Sequence, residues 1–234
     1  MTPTVRAILG LSFALNLLLG TLLALGQWQR SAQTSAEAVE AWHRGSYARR
    51  QGAFDASQLR QADVVFLGDS ITHAGLWDEY FPDHVVANRG VSGDQTHHVL
   101  MRLDDVVRLR PAKLFLMIGV NDLNAGRPVP EVVANLDRIL DRLATDLPET
   151  DLFVQGVLPV AAPYEPTNPR AREVNEHLAA ACRERGCTYL DVGSLFTASD
   201  GTLAADASND GLHLVGTAYA EWSAFLRPYV VGEP

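Results

Sequence analysis

The chain is short of cysteine, of charge and of positive charge in particular, and each shortage excludes a class of protein. Two cysteines in 234 residues cannot frame a small disulfide scaffold, and no histidine–cysteine spacing around them is typical of a zinc site. The formal net charge of −9 repels phosphate backbones and argues against nucleic-acid binding. Charged residues make up only 20% of the chain and hydrophobic residues 47%, which excludes a disordered chain or a coiled coil.

The longest hydrophobic run lies near the N-terminus, where Ala7–Gly26 contains no charged residue. As a helix it would span about 30 Å, the thickness of a bilayer's hydrocarbon core. Three interpretations are open: an uncleaved membrane anchor, a signal peptide cleaved after Gly26, and a buried core helix. We favour the anchor, because the apolar stretch of a signal peptide is usually shorter. An uncleaved anchor would place the remaining chain outside the cytoplasm in the cell envelope, whereas cleavage would give a secreted or periplasmic protein.

The rest of the chain alternates short apolar runs with helical stretches. We divide the sequence into an anchor or signal segment (1–32), a stalk and leading helix (33–58), and one folded domain (59–234). This alternation predicts an α/β fold with a five-stranded parallel sheet covered on both faces, whose functional crevice lies beyond the carboxyl ends of the strands. The predicted strands are Val64–Leu67, His84–Ala87, Lys113–Ile118, Leu152–Val157 and Thr188–Asp191. The predicted helices are Thr96–Arg108, Pro130–Leu147, Pro169–Arg185 and Gly216–Tyr229.

Polar residues gather after three consecutive strands, and an aspartate–histidine pair follows near the end of the chain. This set supplies what ester cleavage by a serine needs: a nucleophile, a base, an acid that orients the base, and donors for the oxyanion. Ser70 is the candidate nucleophile, His213 the base and Asp210 the orienting acid. The candidate oxyanion donors are the backbone N–H groups of Ser70 and Gly93 and the side-chain amide of Asn121.

These residues form four blocks that resemble the SGNH hydrolases, also called the GDSL esterase/lipase family. The blocks are Gly68-Asp69-Ser70, Gly93, Gly119–Asp122 and Asp210–His213, and the resemblance covers about Asp63 to Pro228. Within that family, Asn88–Leu103 looks most like the branch of platelet-activating-factor acetylhydrolase catalytic subunits. The resemblance implies a flavodoxin-like three-layer α/β/α sandwich, carboxylic ester substrates and a double-displacement mechanism without metal or other cofactor. Ile71 stands where the family name has leucine.

The leading hypothesis is a serine esterase that removes a short O-acyl group, acetyl above all, from a small ester, an envelope glycan or a lysolipid. The alternatives are a lysophospholipase or thioesterase, an O-acyltransferase on the same triad, and a binding module without catalysis. A metal-dependent hydrolase would use Asp69, His73, Asp210 and His213 as ligands, but it leaves Asn121 and the glycines without a role.

His73 and Trp77 are candidates for the walls of the substrate pocket. Whether Cys182 and Cys187 pair is open.

Overall fold

The computed structural model describes residues 44–232 together with positions 21 and 25. The chain divides into two units, Met1–Ser46 and Tyr47–Pro234, and the sheet and the candidate site belong to the second. The run Ala7–Gly26 lies outside the described residues except at Thr21 and Leu25, so the N-terminal apolar helix stays a prediction. None of the helices in the described part is both long enough and apolar enough to span a bilayer.

The centre of the second unit is a parallel sheet of five strands, as the alternation of apolar runs predicts. In β1, all five residues are buried, which explains why its sequence, VVFLG, carries no polar side chain. The strand order β2-β1-β3-β4-β5 is a doubly wound order whose ligand crevice lies between the carboxyl ends of β1 and β3. The strands are β1 Val64–Gly68, β2 Val86–Gly90, β3 Lys113–Met117, β4 Asp151–Gln155 and β5 Thr188–Leu190.

Helices flank the sheet and connect its strands. α1 covers residues 44–56. The others are α2 Ser70–His73, α3 Trp77–Tyr80, α4 Thr96–Met101, α5 Leu103–Val107, α6 Val120–Asn124, α7 Val129–Asp146, α8 Asn168–Arg185 and α9 Gly216–Val231. α7 and α8 pack against each other, and α3 packs against α9.

The helix predicted over Thr96–Arg108 is two helices in the structure. α4 and α5 meet at Arg102, where φ is −119° and ψ is 15°, outside the α-helical range. Its guanidinium is buried and hydrogen-bonded to Asp94 and to the carbonyl of Gly68. The break therefore coincides with a charged side chain that lies inside the domain, a tertiary feature that helical periodicity does not reveal.

The second strand lies further along the chain than the predicted His84–Ala87. It covers Val86–Gly90, so Asn88 is inside the strand rather than in the loop after it. The side-chain amide of Asn88 donates to the carbonyl oxygens of Thr72, His73 and Gly75 at 3.0–3.1 Å. These hydrogen bonds give the Asn88 amide acceptors inside the strand. The apolar pattern of the sequence ends the strand before Asn88, because it does not reveal these acceptors.

Stacked phenylalanine rings run across three neighbouring strands. Phe66 of β1, Phe115 of β3 and Phe153 of β4 are in register, and their ring centroids are 5.0 and 4.6 Å apart. Each such pair contributes about 0.5–1.5 kcal/mol beyond the burial of its area. The row packs β1 against β3 and β3 against β4 on one face of the sheet.

Cys182 and Cys187 form a disulfide with a Cα–Cα distance of 4.6 Å. α8 ends at Arg185 and is followed by Gly186, which adopts the left-handed conformation with φ of 75° that glycine favours at this position. The turn brings Cys187 back beside Cys182. The bond lies at the amino end of β5, whereas Ser70 follows the carboxyl end of β1, so the disulfide and the candidate nucleophile are at opposite edges of the parallel sheet.

Candidate active site

Ser70 stands at the junction between β1 and α2. Gly68 makes this junction possible, because a Cβ atom there would overlap the carbonyl oxygen of Met117 and the hydroxyl of Thr72. Asp69 caps α2 by accepting a hydrogen bond from the backbone N–H of Ile71 at 3.0 Å. The strand, the glycine and the cap together put Ser70 on the first turn of a helix at the edge of the sheet where the crevice of this fold lies.

The structure brings together the three residues predicted as nucleophile, base and acid. The hydroxyl Oγ of Ser70 is 3.0 Å from Nε2 of His213, although the two residues are 143 positions apart in the chain. On the other side of the imidazole, Nδ1 of His213 is 2.7 Å from Oδ2 of Asp210. A hydroxyl, an imidazole and a carboxylate in this order are the arrangement that activates a serine for attack on an acyl group.

Hydrogen bonds within the Asp210–His213 loop stabilise its conformation. Oδ1 of Asp210 accepts the backbone N–H groups of Leu212 and His213 at 2.9 and 2.8 Å. Gly211 has a φ of 82°, and a Cβ atom there would overlap the carbonyl oxygen of Ala162. The carbonyl of Gly211 accepts the N–H of Ala161 at 2.8 Å. The loop is therefore a tight turn that lies against the segment following β4.

Asp210 is held in its ionised form. Burial raises its pKa, but the hydrogen bonds from the His213 side chain and from the backbone N–H groups of His213 and Leu212 lower it more. The net result is a pKa well below the ordinary value for aspartate. An ionised Asp210 accepts the Nδ1–H of His213, which leaves Nε2 free to accept a proton from Ser70.

The predicted oxyanion donors follow the ends of β1, β2 and β3, with Ser70 at the start of α2, Gly93 in the loop before α4 and Asn121 in α6. Gly93 has a φ of 83° and Gly119 a φ of 131°, a region that favours glycine. In the turns and loops of residues 44–232, neither the backbone N–H of Ser70 nor that of Gly93 donates to a backbone carbonyl. One N–H of the Asn121 amide donates to the carbonyl oxygen of Asp94 at 2.9 Å, and the second remains for another acceptor. Their role as an oxyanion hole stays a prediction.

Two buried aspartates bind these loops to each other. Oδ2 of Asp94 is 2.7 Å from Nε of Arg102. The carboxylate of Asp122 accepts the backbone N–H and the hydroxyl of Thr96 at 2.9 and 2.7 Å. Burial raises the pKa of Asp122 even though these hydrogen bonds lower it. Sequence reasoning missed Arg102; the signal was the one charged residue among the apolar residues of Val99–Leu103.

Asp69 is also buried, directly before the nucleophile. Burial raises its pKa to about 7, although the hydrogen bond from the backbone N–H of Ile71 lowers it. Its carboxyl shapes the turn by accepting the N–H of Ile71.

The two residues predicted to line the pocket differ in their positions. His73 is half-buried, and its Nδ1 is 3.0 Å from the hydroxyl of Ser92, next to Gly93. Burial and the positive charge of Arg50 lower the pKa of His73, which favours the neutral imidazole. His73 therefore stays a candidate for the pocket.

The assignment of Trp77 to the pocket wall is wrong. Its side chain is fully buried, stacks on Phe66 with a centroid distance of 4.2 Å and donates its indole N–H to the carbonyl of Thr72 at 2.8 Å. α2 is a single turn, and α3 begins at Trp77, whose side chain lies in the core.

The ligand set of the metal-dependent alternative is not assembled. Asp69 binds the N–H of Ile71 and His73 binds Ser92, while Asp210 and His213 bind each other. Within the described part of the chain, no group of three histidine, cysteine or acidic side chains is placed to hold a metal ion.

Two cavities of the described domain lie away from the triad. One of about 550 Å³ is between α8 and the segment after β5, and includes Asn175, Tyr189 and Asp191. Another of about 590 Å³ is at the amino ends of β3, β4 and β5, next to the disulfide. Neither is lined by Ser70 or His213.

Comparison with known proteins assigns the class. The profile of the GDSL-like lipase/acylhydrolase family matches residues 66–220, a range that includes all four sequence blocks. The chain belongs to this family and is a hydrolase.

Among individual proteins, the chain is 31% identical to platelet-activating factor acetylhydrolase IB subunit alpha2 of Gallus gallus over 169 residues, which cover 69% of this chain and 73% of the relative. It is likewise 31% identical to subunit alpha1 of the Homo sapiens enzyme over 170 residues, covering 70% and 73%. A solved structure from Streptococcus pneumonia, whose name refers to a platelet activating factor, superimposes with a TM-score of 0.77 at 26% identity and covers 84% of this chain and 98% of that one.

Proposed function

We propose that the chain is a serine esterase that hydrolyses carboxylic esters with a short O-acyl group, above all acetyl. The observation that carries the proposal is the unbroken line of contacts from Ser70 through His213 to Asp210, at 3.0 and 2.7 Å. The acetyl preference is supported by the relatives at 31% identity, which are named acetylhydrolases. Acetylated glycans and lysolipids are the substrate classes that we propose to test first.

In the acylation half of the reaction, Oγ of Ser70 forms a bond to the ester carbonyl carbon while its proton passes to Nε2 of His213. The carbonyl oxygen becomes an oxyanion that accepts hydrogen bonds from Ser70 N–H, Gly93 N–H and the Asn121 amide. When the tetrahedral intermediate collapses, the alcohol oxygen leaves and takes the proton from Nε2. An acyl group then remains on Ser70, and Asp210 stabilises the transient imidazolium.

In the deacylation half, His213 acts as the base for water. Water attacks the acyl carbon and gives a proton to Nε2, and the same three donors hold the second oxyanion. Ser70 then leaves as the hydroxyl by recovering the proton from His213, and the carboxylic acid is released. Charges and protons balance within the triad, so this chain's own residues supply every group that the two steps require.

The test is a panel of esters assayed with the full-length protein in detergent. p-Nitrophenyl acetate, butyrate and octanoate vary the acyl length. An acetylated xylooligosaccharide, a lysophospholipid and an acyl thioester vary the alcohol or thiol to which the acyl group is attached. We expect kcat/KM to be highest for the acetyl esters and absent in Ser70→Ala. A preference for the octanoyl ester or the lysophospholipid would contradict the short-acyl proposal, and activity retained in Ser70→Ala would contradict the triad.

We also propose that the domain works outside the cytoplasm, anchored by Ala7–Gly26. The proposal is supported by the uncharged length of that run and by the Cys182–Cys187 disulfide, because disulfides persist in oxidising compartments. Protease added to spheroplasts that express the full chain should digest the domain. A domain that is digested only after the membrane is lysed would contradict this placement.

A further inference from the structure

A buried ion pair lies beneath the loops that carry the proposed oxyanion donors. The side chains of Arg102 and Asp94 are exposed by only 1% and 0%, and Nε of Arg102 is 2.7 Å from Oδ2 of Asp94. The same guanidinium donates from Nη2 to the carbonyl oxygen of Gly68 at 3.0 Å. One cation therefore joins the end of β1 to the loop after β2.

The contacts of this pair extend to every segment that carries a proposed donor. Gly68 lies two residues before Ser70, and Asp94 directly follows Gly93. The backbone carbonyl of Asp94 accepts the amide N–H of Asn121 at 2.9 Å. All three donor segments thus meet at Asp94 and Arg102, although neither side chain is placed to touch a substrate.

The chemistry of the two residues suits a positioning role better than a stabilising one. Taking two charges out of water is costly, and well-packed apolar residues often stabilise a core as much as a buried ion pair does. A guanidinium also has donors in a fixed planar fork, which lysine lacks. With Nε on Asp94 and Nη2 on Gly68, this fork sets the direction of one loop relative to the other. The chain leaves the helical conformation at Arg102, the point from which the fork reaches both loops.

We propose that Arg102 and Asp94 are positioning residues for the oxyanion hole, and this inference rests on the proposed esterase function. By holding the Gly93 loop and the Asn121 amide at a fixed place relative to Ser70, the pair keeps the donors directed at the oxyanion. Displacements of about 1 Å in a catalytic site can cost about 10²-fold in rate. The pair is therefore expected to act on kcat and to leave substrate binding in the ground state nearly unchanged.

The experiment compares Arg102→Lys with the double variant Asp94→Asn/Arg102→Met in hydrolysis of p-nitrophenyl acetate by the full chain. The double variant removes both charges, so no unpaired buried charge is left to unfold the domain. We expect its kcat to fall about 10²-fold while KM changes by less than about threefold. Arg102→Lys keeps the charge but not the fork, so its kcat should lie between those of the double variant and the wild type with the same KM.

The matched control is Gln155→Met, which removes a buried hydrogen bond of similar length, 2.8 Å, from the indole of Trp222. It should lower the melting temperature and leave kcat unchanged. Wild-type kcat in either Arg102 variant would overturn the proposal, as would an equal loss of kcat in Gln155→Met. Ser70→Ala in the same assay separates the esterase proposal from the positioning role of Arg102 and Asp94. If Ser70→Ala is inactive while the Arg102 variants have wild-type kcat, the esterase proposal stands and the positioning role fails.

Discussion

His213 and Asp210 have 41% and 47% of their side chains exposed, whereas Arg102 and Asp94 beneath the oxyanion loop are exposed by at most 1%. The proposed acid–base side of the site is built from a turn whose hydrogen bonds join residues two or three positions apart. The proposed oxyanion side is built from contacts between residues 8–34 positions apart.

The difference shows how one site combines two kinds of support. The imidazole and the carboxylate of a proton relay must lie side by side, and a local turn is enough to present both. An oxyanion hole needs donors from three segments of the chain to point at one place, which local hydrogen bonds cannot arrange. We therefore expect substitutions on the acid–base side to change chemistry alone, and substitutions on the oxyanion side to change both chemistry and stability.

The largest expected effect belongs to His213→Ala. Removing the base should reduce kcat by about 10⁴ or more, while the melting temperature stays close to that of the wild type, because 41% of the His213 side chain is exposed. Turnover of p-nitrophenyl acetate and a thermal melt on the same sample check both parts. A large loss of stability would break the comparison between the two sides of the site.

On the oxyanion side, Asn121→Ala should cost about 10²–10³ in kcat, the usual effect of losing one oxyanion donor. It should also lower the melting temperature, because the carbonyl of buried Asp94 loses its donor. Asn121→Asp is the matched control, since it keeps the shape but has no N–H to give and should be at least as slow. A kinetically silent Asn121→Ala would show that the oxyanion assignment is wrong.

Buried Asp69 makes the free energy of unfolding depend on pH, which is a further test of how the buried groups of the site contribute to stability. Its pKa is about 7 in the folded chain against an ordinary 3.8, so between those pH values the unfolded chain is deprotonated and the folded chain is not. The Asp69 contribution to the free energy of unfolding is therefore fully present below about pH 4 and is lost as the pH rises to about 7. Asp69→Asn stays neutral, so in urea unfolding its advantage over the wild type should grow over this range, to the order of a few kcal/mol.

An advantage of Asp69→Asn that is constant with pH, or that grows as the pH falls, would contradict the raised pKa. Because the side-chain amide that this substitution introduces can still accept the N–H of Ile71 through its carbonyl oxygen, the cap of α2 is kept and the comparison isolates the charge.

The smallest effect on activity is expected at the disulfide. Replacing Cys182 and Cys187 together by serine should lower the free energy of unfolding by about 2 kcal/mol, the chain-entropy estimate for so short a loop, and should leave kcat unchanged, because the bond is at the opposite edge of the sheet. Denaturant unfolding and p-nitrophenyl acetate turnover measure the two quantities. A drop in kcat would mean that the disulfide, at the amino ends of the strands, affects the catalytic site at their carboxyl ends.

Much of the site was predictable from the sequence, because its residues follow strands. Apolar runs indicated the parallel sheet, and parallel strands end at one edge, so Ser70, Gly93 and Asn121 were expected together there. The pairing of Asp210 with His213 follows from their spacing within one turn.

The parts that sequence reasoning missed depend on contacts between distant segments. The inward turn of Arg102 breaks a helix whose periodicity looked continuous. Asn88 lies inside a strand, where its amide donates to two carbonyl groups of α2 and to that of Gly75. Trp77 is in the core because α2 ends after one turn, a length that no local pattern fixed. Such features require knowledge of which elements pack together, and composition and spacing do not supply it.

The most direct test of the account is covalent labelling of the full chain with a fluorophosphonate probe, followed by mass spectrometry of the labelled peptide. The account predicts one modified residue, Ser70, with labelling abolished in Ser70→Ala and strongly slowed in His213→Ala. Labelling at another residue, or labelling of Ser70 at the wild-type rate in His213→Ala, would show that the 3.0 Å contact between Ser70 and His213 does not activate the hydroxyl.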